Sequence, residues 1–235
     1  MNRDLARRAS AEAVGTAFLV AVIVGSGIAA QRLSPGETGL ELLENALATG
    51  AGLVALILAL GPISGAHFNP VVTLADRLFG GTSTREAGVY IVAQTVGAVV
   101  GVMVANLMFE LPAATLSTHE RSSSGLWLGE LVATFGLLMV ILGVVRAGRT
   151  SVAAFAVGGY IAAGYFFTSS TSFANPAVTV GRTLTNTFSG IEPASAPMFI
   201  VMQILGTLAA VGLFRFWRPD LPAVDLVVPH DVDPS

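Results

Sequence analysis

Six apolar stretches dominate this chain, at about residues 10–30, 44–61, 86–109, 126–147, 151–168 and 196–217. Each approaches the ~20 residues that an α-helix needs to cross the hydrocarbon core of a bilayer. Lipid offers no partner to a bare N–H or C=O, so a spanning chain must satisfy its backbone internally. Charge agrees with this reading. Only 11% of the 235 residues are charged, 53% are hydrophobic and the mean hydropathy is +0.74, whereas soluble domains carry roughly 25% charged residues. With no cysteine, disulfides and thiolate metal sites are excluded. A net charge of −3 without basic clusters argues against a nucleic-acid partner.

Two further apolar pieces, about 69–79 and 175–186, are too short to span, and both begin at an Asn-Pro phrase. "HFNPVVT" starts at His67 and "FANPAVT" at Phe173. The duplication extends well beyond these phrases. "EAVGTAFLVAVIVG" (12–25) aligns with "ELVATFGLLMVILG" (130–143), and "YIVAQTVG" (90–97) with "FIVMQILG" (199–206), placing Gln94 opposite Gln203. The first run, preceded by Arg3, Arg7 and Arg8, has some marks of a secretory signal. Its twin in the second half argues that it is retained.

Each half thus holds three spans and one short piece. Three is odd, so the halves enter the membrane in opposite senses, as an inverted repeat. With both termini in the cytoplasm, nine of the twelve arginines lie inside, and only Arg32, Arg121 and Arg182 lie outside. That asymmetry matches the positive-inside bias. The expected organisation is a cytoplasmic N-terminus (1–9), one channel domain (10–218, with repeats at about 10–109 and 126–217) and a mobile, Pro- and Asp-rich cytoplasmic tail (219–235).

Non-helical backbone at membrane depth survives only where protein buries it or it lines a watery cavity. Pro70 and Pro176 stand at the start of their apolar pieces, where a missing N–H costs nothing. Each piece is therefore expected to be a re-entrant loop followed by a half-helix with its positive end near the midplane. Asn69 and Asn175 would then offer two amide donors at the centre of a pore, suited to a file of hydroxyls or water and hostile to cations.

The doubled Asn-Pro motif on an inverted six-span repeat resembles the aquaporin, or major intrinsic protein, family over about residues 10–218. The resemblance implies an all-α membrane fold of six helices plus two half-helices. It further implies a homotetramer with one pore per subunit, no cofactor, and Glu12 and Glu130 as buried carboxylates bracing the re-entrant loops.

Departures from the family pattern carry the finer expectations. The first motif reads Asn69-Pro70-Val71 and the second Asn175-Pro176-Ala177. The position that follows the second motif, where the family usually has an Arg of the outer constriction, is Val178. By the family's spacing Thr49 and Ser172 join that constriction, together with either Ala163 or Tyr165. Such a filter is expected to be wide and uncharged. Arg182, four residues after Val178, shares its helical face and has two readings: a cation at the extracellular mouth, or a snorkelling surface Arg paired with Glu192. The Val substitution is similar to that in bacterial aquaglyceroporins found with arsenic-resistance genes.

The sequence therefore points to a passive channel in a bacterial inner membrane. Its expected solutes are small and neutral: water, glycerol-like polyols, and metalloid hydroxides such as arsenite or antimonite, with methylated arsenicals included. An ion-coupled secondary transporter is the rival reading, with Glu12 and Glu130 as the carboxylates at membrane depth. An intramembrane enzyme is disfavoured, because His67, His119 and His230 lack neighbours at dyad or metal-ligand spacing. His67 instead reads as a pore-lining or gating group.

Overall fold

The computed structural model describes residues 3–217, so Arg218 and the expected tail (219–235), with His230, lie outside the described residues. Its order is α1 (Arg3–Leu33), α2 (Thr38–Ser64), the short α3 (Pro70–Phe79), α4 (Thr84–Met108), α5 (Ser124–Arg146), α6 (Ala153–Phe167), the short α7 (Pro176–Arg182) and α8 (Ala196–Trp217), with a single 3₁₀ turn (Thr150–Val152) leading into α6. Six helical segments, the fifth being α6 together with its 3₁₀ turn (Thr150–Phe167), are long and apolar enough to cross a membrane. The described residues contain no strand.

Helix ends follow local chemistry more than hydropathy. α1 begins seven residues before the apolar run at Arg3, because ion pairs of Asp4 with Arg7 and Arg8 secure its polar first turns. At the start of α4, Ser83 Oγ accepts from the Glu86 N–H (3.2 Å) while the Glu86 carboxylate accepts from the Ser83 N–H (2.8 Å), a reciprocal cap of two orphan donors. α7 stops at Arg182, short of the expected residue 186. The Thr183 and Leu184 carbonyls are taken by the Ser117 and Thr115 N–H groups (both 3.0 Å) of the loop joining the repeats, so no further helical turn forms.

Within each repeat the first helix packs on the last: α1 on α4, and α5 on α8. Small residues permit this closeness. A Cβ placed on Gly97 would meet the Ala13 carbonyl at 2.2 Å, and one on its repeat equivalent Gly206 would meet the Leu131 carbonyl at 2.6 Å. Between helices in lipid, close backbone approach of this kind supplies much of the association. α2 and α6 join the repeats, and one buried apolar cluster unites Leu19 and Ile23 of α1, Ile57 of α2, Leu137 and Ile141 of α5 and Ile161 of α6. Large apolar side chains such as Phe18, Val96, Phe155 and Leu205 are exposed on the perimeter, where acyl chains would meet them. The half-helices α3 and α7 lie inside this ring and touch each other.

Candidate functional site

The loops that enter the two half-helices are held in an uncommon backbone conformation. Ala66 and Phe68 in the first, and Ser172 and Ala174 in the second, have φ between 47° and 53°. Left-handed backbone is unfavourable for residues with a Cβ and persists only where surroundings impose it. Two buried carboxylates meet the N–H groups that these turns expose. Glu12 Oε1 accepts from His67 N (3.0 Å) and Ser64 Oγ (2.7 Å), and Oε2 accepts from Phe68 N (2.7 Å) and Gln94 Nε2 (2.8 Å). Glu130 Oε1 accepts from Phe173 N (2.9 Å), and Oε2 from Ala174 N (2.9 Å) and Gln203 Nε2 (2.6 Å). Gln94 and Gln203 also donate to Thr73 (2.9 Å) and Thr179 (3.0 Å), one turn into each half-helix. Both carboxylates are fully buried and hydrogen-bonded, as buried charge requires.

Asn69 and Asn175 each make two kinds of bond. Their side-chain oxygens cap the half-helices: Asn69 accepts from Val71 N (3.1 Å), and Asn175 from Ala177 N (3.0 Å) and Val178 N (3.2 Å). Their amide nitrogens cross to the other repeat. Asn69 Nδ2 donates to the Ala174 carbonyl (2.7 Å) and Asn175 Nδ2 to the Phe68 carbonyl (2.9 Å). An amide nitrogen carries two hydrogens, so each Asn keeps one donor for the cavity that both side chains line. Pro70 and Pro176 start their helices. Val71 and Ala177 are buried beside the caps and are not part of the cavity wall.

One cavity, of about 50 Å³ open to water, is bounded by both repeats. Apolar side chains, with aliphatic ones of α1, α2, α5 and α6 among them, form most of its wall, and the polar groups are few: His67, Asn69, Asn175, Thr49, Tyr165, Ser172 and Arg182. No carboxylate of the described residues lines it. His67 rests edge-on against Tyr90 (5.4 Å between centroids), with Nδ1 3.1 Å from Thr73 Oγ1.

The constriction residues divide clearly. Thr49, Tyr165, Ser172 and Val178 all face the cavity, with the Thr49 and Tyr165 hydroxyls 3.1 Å apart. Ala163, the alternative to Tyr165, is exposed on the outer face of α6 and does not reach the cavity. Two residues apart on a helix of 3.6 per turn, only one of them can point inward. The Ser172 hydroxyl is buried without a hydrogen-bond partner.

Arg182 overturns one of its two readings. It is only 3% exposed, its Nε donates to the Ser189 carbonyl, and its guanidinium lies 3.4 Å from the centre of the Phe173 ring. It is therefore not a snorkelling surface residue paired with Glu192. The segment after α7 folds back over it, with Ile191 N donating to the Arg182 carbonyl (3.2 Å). Arg182 instead lines the cavity together with Val178. Sequence reasoning did not single out Arg121, which reaches the same ring from the inter-repeat loop (5.2 Å to its centre). Its position 52 residues before Phe173 in a loop offered no local signal.

A cavity through an inverted six-span repeat, pinched between two Asn-capped half-helices, defines an integral membrane protein of the re-entrant, pore-forming class. The chain belongs to the major intrinsic protein family, whose sequence model matches residues 2–172 and 148–231. Among its relatives, aquaglyceroporin AqpS of Rhizobium meliloti (strain 1021) is 49% identical over 228 residues, covering 97% of each chain. The probable aquaporin AqpM of Archaeoglobus fulgidus is 31% identical over 244 residues, covering 92% of this chain and 98% of its own. The X-ray structure of the aquaglyceroporin from Plasmodium falciparum superposes with a TM-score of 0.70, covering 92% of this chain and 98% of that one at 22% identity. At that identity the likeness concerns the fold.

Proposed function

We propose that this protein is a passive channel for water and small neutral hydroxylated solutes, including glycerol-like polyols and metalloid hydroxides such as arsenite and antimonite. The observation that carries the reading is the crossed pair of Asn69 and Asn175 amides within one cavity. These donors hold acceptor oxygens in single file, and the two half-helix N-termini aimed at the same point oppose cations. Val178 in place of a long cationic side chain leaves room for solutes wider than water. A trihydroxy metalloid presents its hydroxyls much as a small polyol does, so the same donors serve both.

In this reading Glu12 and Glu130 brace the re-entrant loops. Thr49, Tyr165, Ser172 and Val178 form the selectivity filter. The protein works as a homotetramer in a bacterial inner membrane, with both termini in the cytoplasm. Ion-coupled transport is disfavoured because coupling needs an ionisable group on the pathway, and the oxygens of both glutamates are committed to loop and glutamine donors. Stopped-flow light scattering of proteoliposomes provides the test. Water, glycerol and arsenite should each equilibrate faster than in empty vesicles, at rates independent of an imposed proton or sodium gradient. Uptake that follows the gradient would establish the transporter instead.

A further inference from the structure

Two guanidiniums share one aromatic ring at the α7 end of the cavity. Phe173 is buried, with Arg182 stacked 3.4 Å from its centre and Arg121 at 5.2 Å. Each is anchored through Nε alone, to consecutive carbonyls: Arg182 to Ser189, and Arg121 to Gly190 (2.9 Å). Neither side chain has another acceptor among the described residues. Glu130, the carboxylate whose field reaches both, is already occupied by Phe173 N, Ala174 N and Gln203. The terminal nitrogens of Arg182 thus remain as donors toward a cavity that also holds the unpartnered Ser172 hydroxyl.

This charge belongs to one end only. Arg182 lies seven residues after Asn175, and the equivalent position seven after Asn69 is Asp76, which does not line the cavity. The duplicated half-helices therefore differ most in charge at matched positions. A guanidinium fork matches two oxygens of one group bidentately, and stacking on an aromatic face keeps the cation in apolar surroundings. Low-dielectric walls concentrate its potential at the opening.

We propose that Arg182 and Arg121, with the Ser172 hydroxyl, form a recognition site for small monovalent oxyanions, the ionised form of weak oxyacids that carry a further hydroxyl. The site rests on the channel reading and states which solutes the pore gathers at this end. Arg182 supplies the direct N–H donors, Ser172 meets the remaining hydroxyl, and Arg121 adds charge from behind the ring. A neutral polyol gains hydrogen bonds here, whereas a monoanion also offsets part of the charge of the buried Arg182 and the half-buried Arg121. Val178 leaves open the space through which the Arg182 fork is reached.

The full-length protein in an uncharged detergent is titrated calorimetrically with methylphosphonate, at a pH where it is a monoanion, and with chloride as control. Saturable binding of methylphosphonate but not chloride is expected. Arg182→Gln and Arg121→Gln should each weaken it by about tenfold, the scale of one charge-assisted contact, and Arg182→Lys should retain part of it. In proteoliposomes, external methylphosphonate should slow water flux over the same concentration range. No saturable binding, wild-type affinity in both Gln variants, or equal binding of chloride would overturn the site. If Arg182→Gln does not fold, Arg121→Gln carries the test, since its loop forms no part of the cavity wall. Wild type that conducts water and glycerol without binding the oxyanion overturns this site alone. Absence of water and glycerol flux overturns the channel reading, while calorimetry still reads the site.

Discussion

Asn69 and Asn175 are cross-linked through each other's loops: each amide nitrogen donates to the carbonyl immediately preceding the other Asn, at 2.7 and 2.9 Å. The pair therefore fixes two half-helix N-termini against one another while each side-chain oxygen caps its own helix. One residue type serves both tasks because an amide carries its donor and its acceptor on separate atoms of one short stem.

Asn175→Asp separates these tasks. An aspartate still caps Ala177 and Val178, since carboxylates cap well, but it cannot donate to the Phe68 carbonyl and brings negative charge to the midplane. Solute flux should persist at a reduced level, and sodium or proton leak should rise clearly above wild type. A pH-sensitive dye and a sodium indicator inside liposomes measure both. A leak unchanged beside intact solute flux would place the cation barrier elsewhere.

Glu130→Ala strands the Phe173 and Ala174 N–H groups and the Gln203 amide. Each buried unsatisfied donor costs about 1–3 kcal/mol, so the variant should lose most of its folded population in detergent. Glu130→Gln keeps an accepting oxygen and should be milder. Thermal denaturation followed by size-exclusion chromatography ranks the two; equal, wild-type-like profiles would remove the bracing role.

Val178→Arg introduces a second guanidinium one turn from Arg182, facing Thr49 and Ser172 across the cavity. The side chain narrows the opening and crowds like charge. Glycerol and arsenite permeability should therefore fall several-fold more than water permeability, compared at equal reconstituted density. A uniform fall in all three would mean a defect in folding or opening.

Tyr165→Phe removes the hydroxyl that lies 3.1 Å from Thr49. The lost hydrogen bond should cost about 0.5–1.5 kcal/mol, and a slightly less polar constriction should slow water more than glycerol. Stopped-flow rates for the two solutes, taken as a ratio, give the answer.

Gly206→Val tests the packing of the second repeat. Even a single Cβ there would approach the Leu131 carbonyl to 2.6 Å, and a larger side chain must separate α8 from α5. Overpacking of this kind costs roughly 1–3 kcal/mol or more. Helix separation would pull Gln203 from Glu130, so loss of stability should accompany loss of solute flux. Unaltered stability would show that the helices part without cost.

Much of the architecture was legible along the chain. Apolar runs of bilayer length dictate helices because lipid leaves backbone groups no other partner, and the paired motifs give the repeat and its inversion by counting spans. The correspondence of Glu12 with Glu130 and of Gln94 with Gln203 showed as matched residues in matched phrases, whereas the bond from each Gln to the Glu of its own repeat did not. What ran along the chain poorly were helix ends such as Arg182, where loop donors from residues 115 and 117 compete for the carbonyls.

Sequence by itself determined which residues recur and at what spacing, since periodicity and duplication are properties of a line. It left Ala163 and Tyr165 as alternatives, because inward direction depends on how α6 is rotated against α2, and Tyr165 is selected by its approach to Thr49. It left Arg182 between surface and mouth, because nothing adjacent announces that residues 183–195 fold back and bury it. Arg121 and Phe173 became neighbours only when the inter-repeat loop crossed over α7. The charge at that end of the cavity is thus a tertiary property: burial and distance between remote segments set an electrostatic field, and neither is written in local order.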